Sequence, residues 1–165
     1  MTKEETLNKL KELNIEYDIT EHGPVYTIEE MDALNMENSQ FIIKNLFIRD
    51  EKRQNYYLVL VEKDKKMNLK ELRRNIGSKP LTFANEEDLY EYLKLTKGAV
   101  SPLGILNDTN HFVKVLIDKN LLDYKVLGVH PCDNTATVWI NPQTLIKMIE
   151  NNKNEIIYFD MKVDE

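Results

Sequence analysis

Cysteine is almost absent: Cys132 stands alone, which rules out an internal disulfide and a multi-thiolate zinc site within one chain. Histidine is nearly as sparse. His22, His111 and His130 lie far apart, and no H-E-x-x-H or Cys/His cluster gives metal-ligand spacing. The five glycines form no G-x-G-x-x-G, no G-x-x-x-x-G-K-[ST] and no G-x-S-x-G, so the phosphate-cradling loops and the hydrolase elbow are missing. Long hydrophobic runs are missing too. Stretches such as Tyr57–Val61 fall far short of the ~20 apolar residues of a membrane helix. The start, Met1-Thr2-Lys3-Glu4-Glu5, has neither the apolar core nor the cleavage site of a signal peptide. These absences predict a cytoplasmic protein that uses no metal, no cofactor and no membrane.

What is present fits a single domain over residues 1–165, long enough to bury about 70% of its unfolded surface. The hydrophobic fraction of 42% and charged fraction of 30% are those of an ordinary globular chain. Net charge is −6, mildly unfavourable for a polyanion partner. Yet between Lys44 and Lys79 eleven lysines and arginines stand against five acids. Such a split either presents a phosphate-attracting face or only solvates a helix and its turns.

Thr2-x-x-Glu5 and Thr27-x-x-Glu30 are capping boxes, opening a first helix and a short second one through about Leu34. Ile15–Ile19 alternates as a strand; Phe41–Ile48 and Tyr56–Val61 read as a hairpin across a charged loop. Asn68, Asn85 and Asn141-Pro142 can each cap a helix. Strands are expected at Leu81–Phe83, Phe112–Ile117, Lys125–Val129, Thr135–Ile140 and Ile156–Phe159, with a loop over Lys97–Asn110. The irregular alternation predicts an α/β fold with a central mixed, largely antiparallel sheet flanked by helices.

Few residues suggest chemistry. Lys44 and Asn45 interrupt the apolar run Phe41–Ile48, so the lysine either reaches the surface from an edge strand or faces a polar site. The loop Gly98-Ala99-Val100-Ser101-Pro102 either lines a small cleft with backbone or is an ordinary turn. Cys132, two residues after His130, is a nucleophile or a small buried apolar group.

In order, His22-Gly23-Pro24-Val25-Tyr26-Thr27-Ile28-Glu29-Glu30, Lys44-Asn45-Leu46-Phe47-Ile48-Arg49-Asp50, Leu81-Thr82-Phe83-Ala84, Gly98–Gly104 with Asn107-Asp108, and His130-Pro131-Cys132-Asp133-Asn134-Thr135-Ala136-Thr137 cover nearly the whole chain. Together they resemble the editing domains related to the insertion domain of bacterial prolyl-tRNA synthetases (YbaK-like), nearest the free-standing deacylases that clear alanine from proline tRNA. The resemblance implies a metal-independent aminoacyl-tRNA hydrolase whose cleft takes the mischarged tRNA(Pro) acceptor end, with prolyl-tRNA synthetase as a further partner and no DNA. It implies that Lys44 positions the tRNA end with Asn45 beside it. Gly98 would present backbone to the ester and help place the water, and His130 would line the amino-acid pocket. Ala99, Val100, Ser101 and Pro102 would shape that pocket, and Arg49 and Lys79 would touch acceptor-stem phosphates. Two positions depart from the pattern: Gly23-Pro24 replaces a frequent proline pair, and Ser101 a frequent threonine. Cysteine or another small amino acid as the removed residue, a tRNA- or synthetase-binding module without turnover, and a small-metabolite ester hydrolase remain as alternatives.

Overall fold

Each helix begins where a short polar side chain meets its first free backbone N–H groups. In the computed structural model, which describes residues 1–160, Thr2 Oγ1 accepts from the Glu5 N–H at 3.1 Å to open α1 (Lys3–Glu12). Thr27 Oγ1 accepts from the Glu30 N–H at 3.0 Å to open α2 (Ile28–Ala33). Asn68, Asn85 and Asn141 cap α3 (Leu69–Ile76), α4 (Glu86–Leu93) and α5 (Pro142–Asn151) through their side-chain oxygens. All five expected caps are made. Gly77, at φ 70, ends α3 in the left-handed conformation that favours glycine.

The strands are β1 (Asp18–Glu21), β2 (Ile43–Asp50), β3 (Tyr56–Glu62), β4 (Leu81–Phe83), β5 (Lys114–Asp118), β6 (Leu127–Val129), β7 (Ala136–Ile140) and β8 (Ile156–Phe159). They divide into a five-stranded sheet, β4-β2-β3-β5-β8, and a three-stranded sheet, β1-β7-β6. Only β3–β5 and β5–β8 are parallel, so the mixed, largely antiparallel α/β character holds. The two sheets meet at one parallel bridge, Ile42 to Gly128.

The first strand differs from expectation. Ile15–Ile19 is not the paired segment; Asn14 turns at φ 57, and pairing begins at Asp18, opposite Trp139. Ile15 and Tyr17 instead pack half-buried against the main core, which is why they alternate with polar neighbours. The loop over 97–110 also holds a 3-10 stretch, Pro102–Asn107.

The main core lies between the sheets. Phe47, Leu58, Leu60, Val115 and Ile117 face Val129, Val138 and Ile140, with α1, α4 and α5 sealing its edges through Leu10, Leu93 and Leu145. On the other face of the five-stranded sheet, Leu72 of α3 packs with Ile48, Val59, Val61, Leu116 and Phe159. A small third cluster of Val25, Met31, Ile42 and Trp139 lies at the join of the two sheets.

Candidate active site

The two sheets come together at a glycine. A Cβ on Gly128 would lie 2.7 Å from Trp139 Cζ3, 2.9 Å from Ile42 Cγ1 and 3.2 Å from Ile42 Cα, so glycine alone lets the strands approach there. Beyond the bridge both strands run the same way, β2 to Lys44 and β6 to His130. Side chains alternate along a strand, so Lys44 shares the face of Ile42 while Asn45 points to the opposite one. From Ile43 to Phe47 the outer edge of β2 pairs with no strand among the described residues, because β4 joins only at Ile48. The Phe47 carbonyl on that edge already accepts from the Ala84 N–H at 3.0 Å.

The segment 22–26 is bonded to the turn before β7. The His22 N–H donates to Thr135 O at 2.9 Å, the Val25 N–H donates to Asn134 O at 3.2 Å, and Asn134 Nδ2 donates back to Val25 O at 2.8 Å. Tyr26, 69% exposed, lays its ring against Gly98: a Cβ there would sit 3.3 Å from Tyr26 Cδ1. Gly98 itself has φ 90, a conformation side chains resist. Three residues on, the fully buried Ser101 donates its hydroxyl hydrogen to the His130 carbonyl and accepts from the Leu103 N–H at 3.1 Å. The glycine loop is thus tied directly to His130. Ala99 and Pro102 are buried and Val100 half-buried beside it.

His22 and His130 each have one assigned tautomer when neutral. His130 Nδ1–H donates to Ala136 O at 3.2 Å, which leaves Nε2 as an acceptor. His22 Nδ1–H donates to Gly23 O at 2.8 Å, so its Nε2 accepts from Thr137 Oγ1 at 2.9 Å. Burial, with His22 nearby adding to it, holds the His130 imidazole below its ordinary range despite the Ala136 carbonyl and Asp133. Burial pushes the Cys132 thiol up, so Cys132 is a buried thiol and not an activated nucleophile. Lys44 Nζ donates to the Lys65 carbonyl; burial draws this ammonium below its usual range, and Asp64 opposes the shift.

Residues 22–148 match the aminoacyl-tRNA editing domain family. The chain belongs to that family. It is 51% identical over 152 residues to the prolyl-tRNA editing protein ProX of Acetoanaerobium sticklandii, covering 92% of this chain and 93% of that protein. It is 37% identical over 155 residues to the prolyl-tRNA synthetase associated domain-containing protein 1 of Danio rerio, covering 92% and 84%. A crystal structure of a candidate trans-editing enzyme for prolyl tRNA synthetase superposes with TM-score 0.72 at 20% identity, over 98% of this chain and 99% of that one, and shares the fold. The enzymatic class that goes with membership is hydrolysis of aminoacyl-tRNA.

The residues that the resemblance singled out fall into three groups. Ser101 ties the loop Gly98-Ala99-Val100-Ser101-Pro102 to His130, while Lys44 stands on the face of β2 that carries Leu46 and Ile48, with its Nζ on the Lys65 carbonyl. Asn45 lies on the other face, and its Oδ1 is buried without a hydrogen-bond partner among the described residues. Arg49 lies five residues along β2 from Lys44, about 17 Å away at strand spacing. Its Nη1 donates to Asp50 O at 2.9 Å, and Lys79 Nζ donates to Gln54 Oε1 at 3.2 Å on the same hairpin end. The basic segment is not one uniform face either. Lys63 pairs with Asp32 and Lys65 with Asp118, while Lys70, Arg73 and Arg74 line a depression at the end of α3. His22 and Tyr26 were not singled out by residue chemistry; their only signal was their place in the family-like stretch His22–Glu30.

Proposed function

We propose that this protein is a free-standing cytoplasmic deacylase, one editing domain over residues 1–165, that hydrolyses the ester of alanine wrongly attached to proline tRNA. The observation that carries it is the bond from Ser101 to the His130 carbonyl, which fastens the Gly98 loop to the histidine that follows β6. An aminoacyl ester is already activated. A positioned water and preorganised polar groups suffice for it, with no protein nucleophile. Water adds to the ester carbonyl, the tetrahedral oxyanion collapses, and the bond to the ribose oxygen breaks. The products are free alanine and a tRNA with its terminal hydroxyl restored.

Gly98 has no side chain of its own between main chain and ester, and the Tyr26 ring closes one side of it. His130 Nε2, neutral near pH 7, is an acceptor for the water or for the amino group of the substrate. Ser101 spends both hydroxyl functions on the protein, so it serves as fixed wall and not as reagent. A wall so held cannot open for the proline ring, and exclusion by size follows. Lys44 supplies a point charge for phosphate or sugar at the tRNA end. Arg49 and Lys79, at the far end of β2, suit phosphates farther along the acceptor stem, where their contribution weakens with salt. Prolyl-tRNA synthetase, which charges the same tRNA, is the natural protein partner.

Purified protein should release alanine from alanyl-tRNA(Pro) and spare prolyl-tRNA(Pro). Lys44→Ala should lower the rate by about 10- to 100-fold, the loss of one charge-assisted contact. Alanine release no faster than spontaneous hydrolysis, with cysteinyl-tRNA(Pro) cleaved instead, would replace alanine by cysteine. No release from either would leave a tRNA-binding module.

A further inference from the structure

Two opposite charges are buried beside Lys44. Lys65 Nζ donates to Asp118 Oδ2 at 2.6 Å and lies 3.5 Å from Glu62 Oε1, and both Lys65 and Asp118 are buried. The remaining acceptors of these carboxylates are occupied. The Asn120 N–H donates to Asp118 Oδ1 at 3.0 Å, Asn120 Nδ2 to Glu62 Oε1 at 2.7 Å, and Tyr124 Oη–H to Glu62 Oε2 at 2.8 Å. The network closes the turn after β3, where the Lys65 N–H donates to Glu62 O at 3.1 Å. From that turn the Lys65 carbonyl accepts Lys44 Nζ, and Asp64 supplies the nearby negative charge. Lys63, in the same turn, reaches Asp32 of α2 at 2.6 Å.

A buried ion pair is a poor way to gain stability, because apolar residues of equal volume do as well or better. Its value lies in fixing geometry. Here the fixed object is a carbonyl, and what that carbonyl holds is the ammonium of Lys44. We propose that Lys65 and Asp118 are positioning residues for Lys44: the ion pair sets the turn, and the turn sets where the Lys44 charge meets the tRNA end. This rests on the role of Lys44 given above.

The test is a double-mutant cycle on alanyl-tRNA(Pro) deacylation, with Asp118→Asn made in the parent and in Lys44→Ala. In the parent, Asp118→Asn should lower kcat/KM about tenfold, within the range for residues of one network, and most of the loss should appear in KM. In the Lys44→Ala background the same change should cost less than about twofold, since the charge it positions is gone. Denaturant unfolding run alongside should register the same stability loss in both backgrounds. If Asp118→Asn does not fold, Glu62→Gln acts on the same ammonium from a half-exposed site and should give the same pattern at smaller size. Equal losses in both backgrounds, or a loss confined to kcat, would overturn the positioning role and leave Lys44 in the site. A Lys44→Ala protein as active as the parent would overturn the role of Lys44 and this proposal with it.

Discussion

Gly98 concentrates what one residue can do here. At φ 90 an added methyl group is strained, and it would also press on Tyr26 Cδ1 at 3.3 Å. Gly98→Ala should therefore lose about 1–3 kcal/mol of stability by thermal melting, and its deacylation rate at 25 °C should fall further than that loss accounts for. His130 makes a second prediction, this time in pH. Its folded-state affinity for a proton is lowered by burial, while the unfolded chain takes a proton near 6.5. Below that pH the unfolded state binds the proton first, so stability falls as pH drops through 6.5 and levels off below the folded value. Denaturant unfolding at pH 7.5 and 5 should show this loss in the parent and a smaller one in His130→Asn. A residue type at its place in a motif was enough to single out Gly98 and His130. It could not reveal that Ser101 joins them, because a serine in a loop reads the same whether its hydroxyl is free or committed.

At the scale of elements the sequence was most legible where the information is local. Thr2, Thr27, Asn68, Asn85 and Asn141 all cap as their spacing implies. Asn68 receives two backbone N–H groups, from Lys70 at 3.0 Å and Glu71 at 3.2 Å. Asn68→Ala should cost about 1 kcal/mol by urea unfolding, with the basic end of α3 loosened but deacylation of a saturating substrate unchanged. Legibility fails where the partner is distant. Ile15–Ile19 alternates like a strand, but strand pairing is decided by β7, more than a hundred residues away, and begins at Asp18. Lys65 lies in a run of charges that reads as solvated surface; only the return of β5 brings Asp118 beneath it.

For the whole molecule, composition and element order were sufficient for a mixed α/β fold, but the division into two sheets was not visible in them. That division depends on Gly128, an inconspicuous glycine in a short strand, which admits Trp139 on one side and Ile42 on the other. Gly128→Ala should overpack this contact and cost about 1–3 kcal/mol, read as a lowered Tm with a red-shifted Trp139 emission. The single bridge has a consequence for how the molecule comes apart. Ile42 and Gly128 make the one strand bridge between the sheets among the described residues, and elsewhere the sheets meet through side chains, where Leu60 of one packs in the same core as Val129 of the other. Substitutions that thin that core should part the sheets before either loses its own ladder, read as faster hydrogen exchange at the join than within β2–β3 or β6–β7.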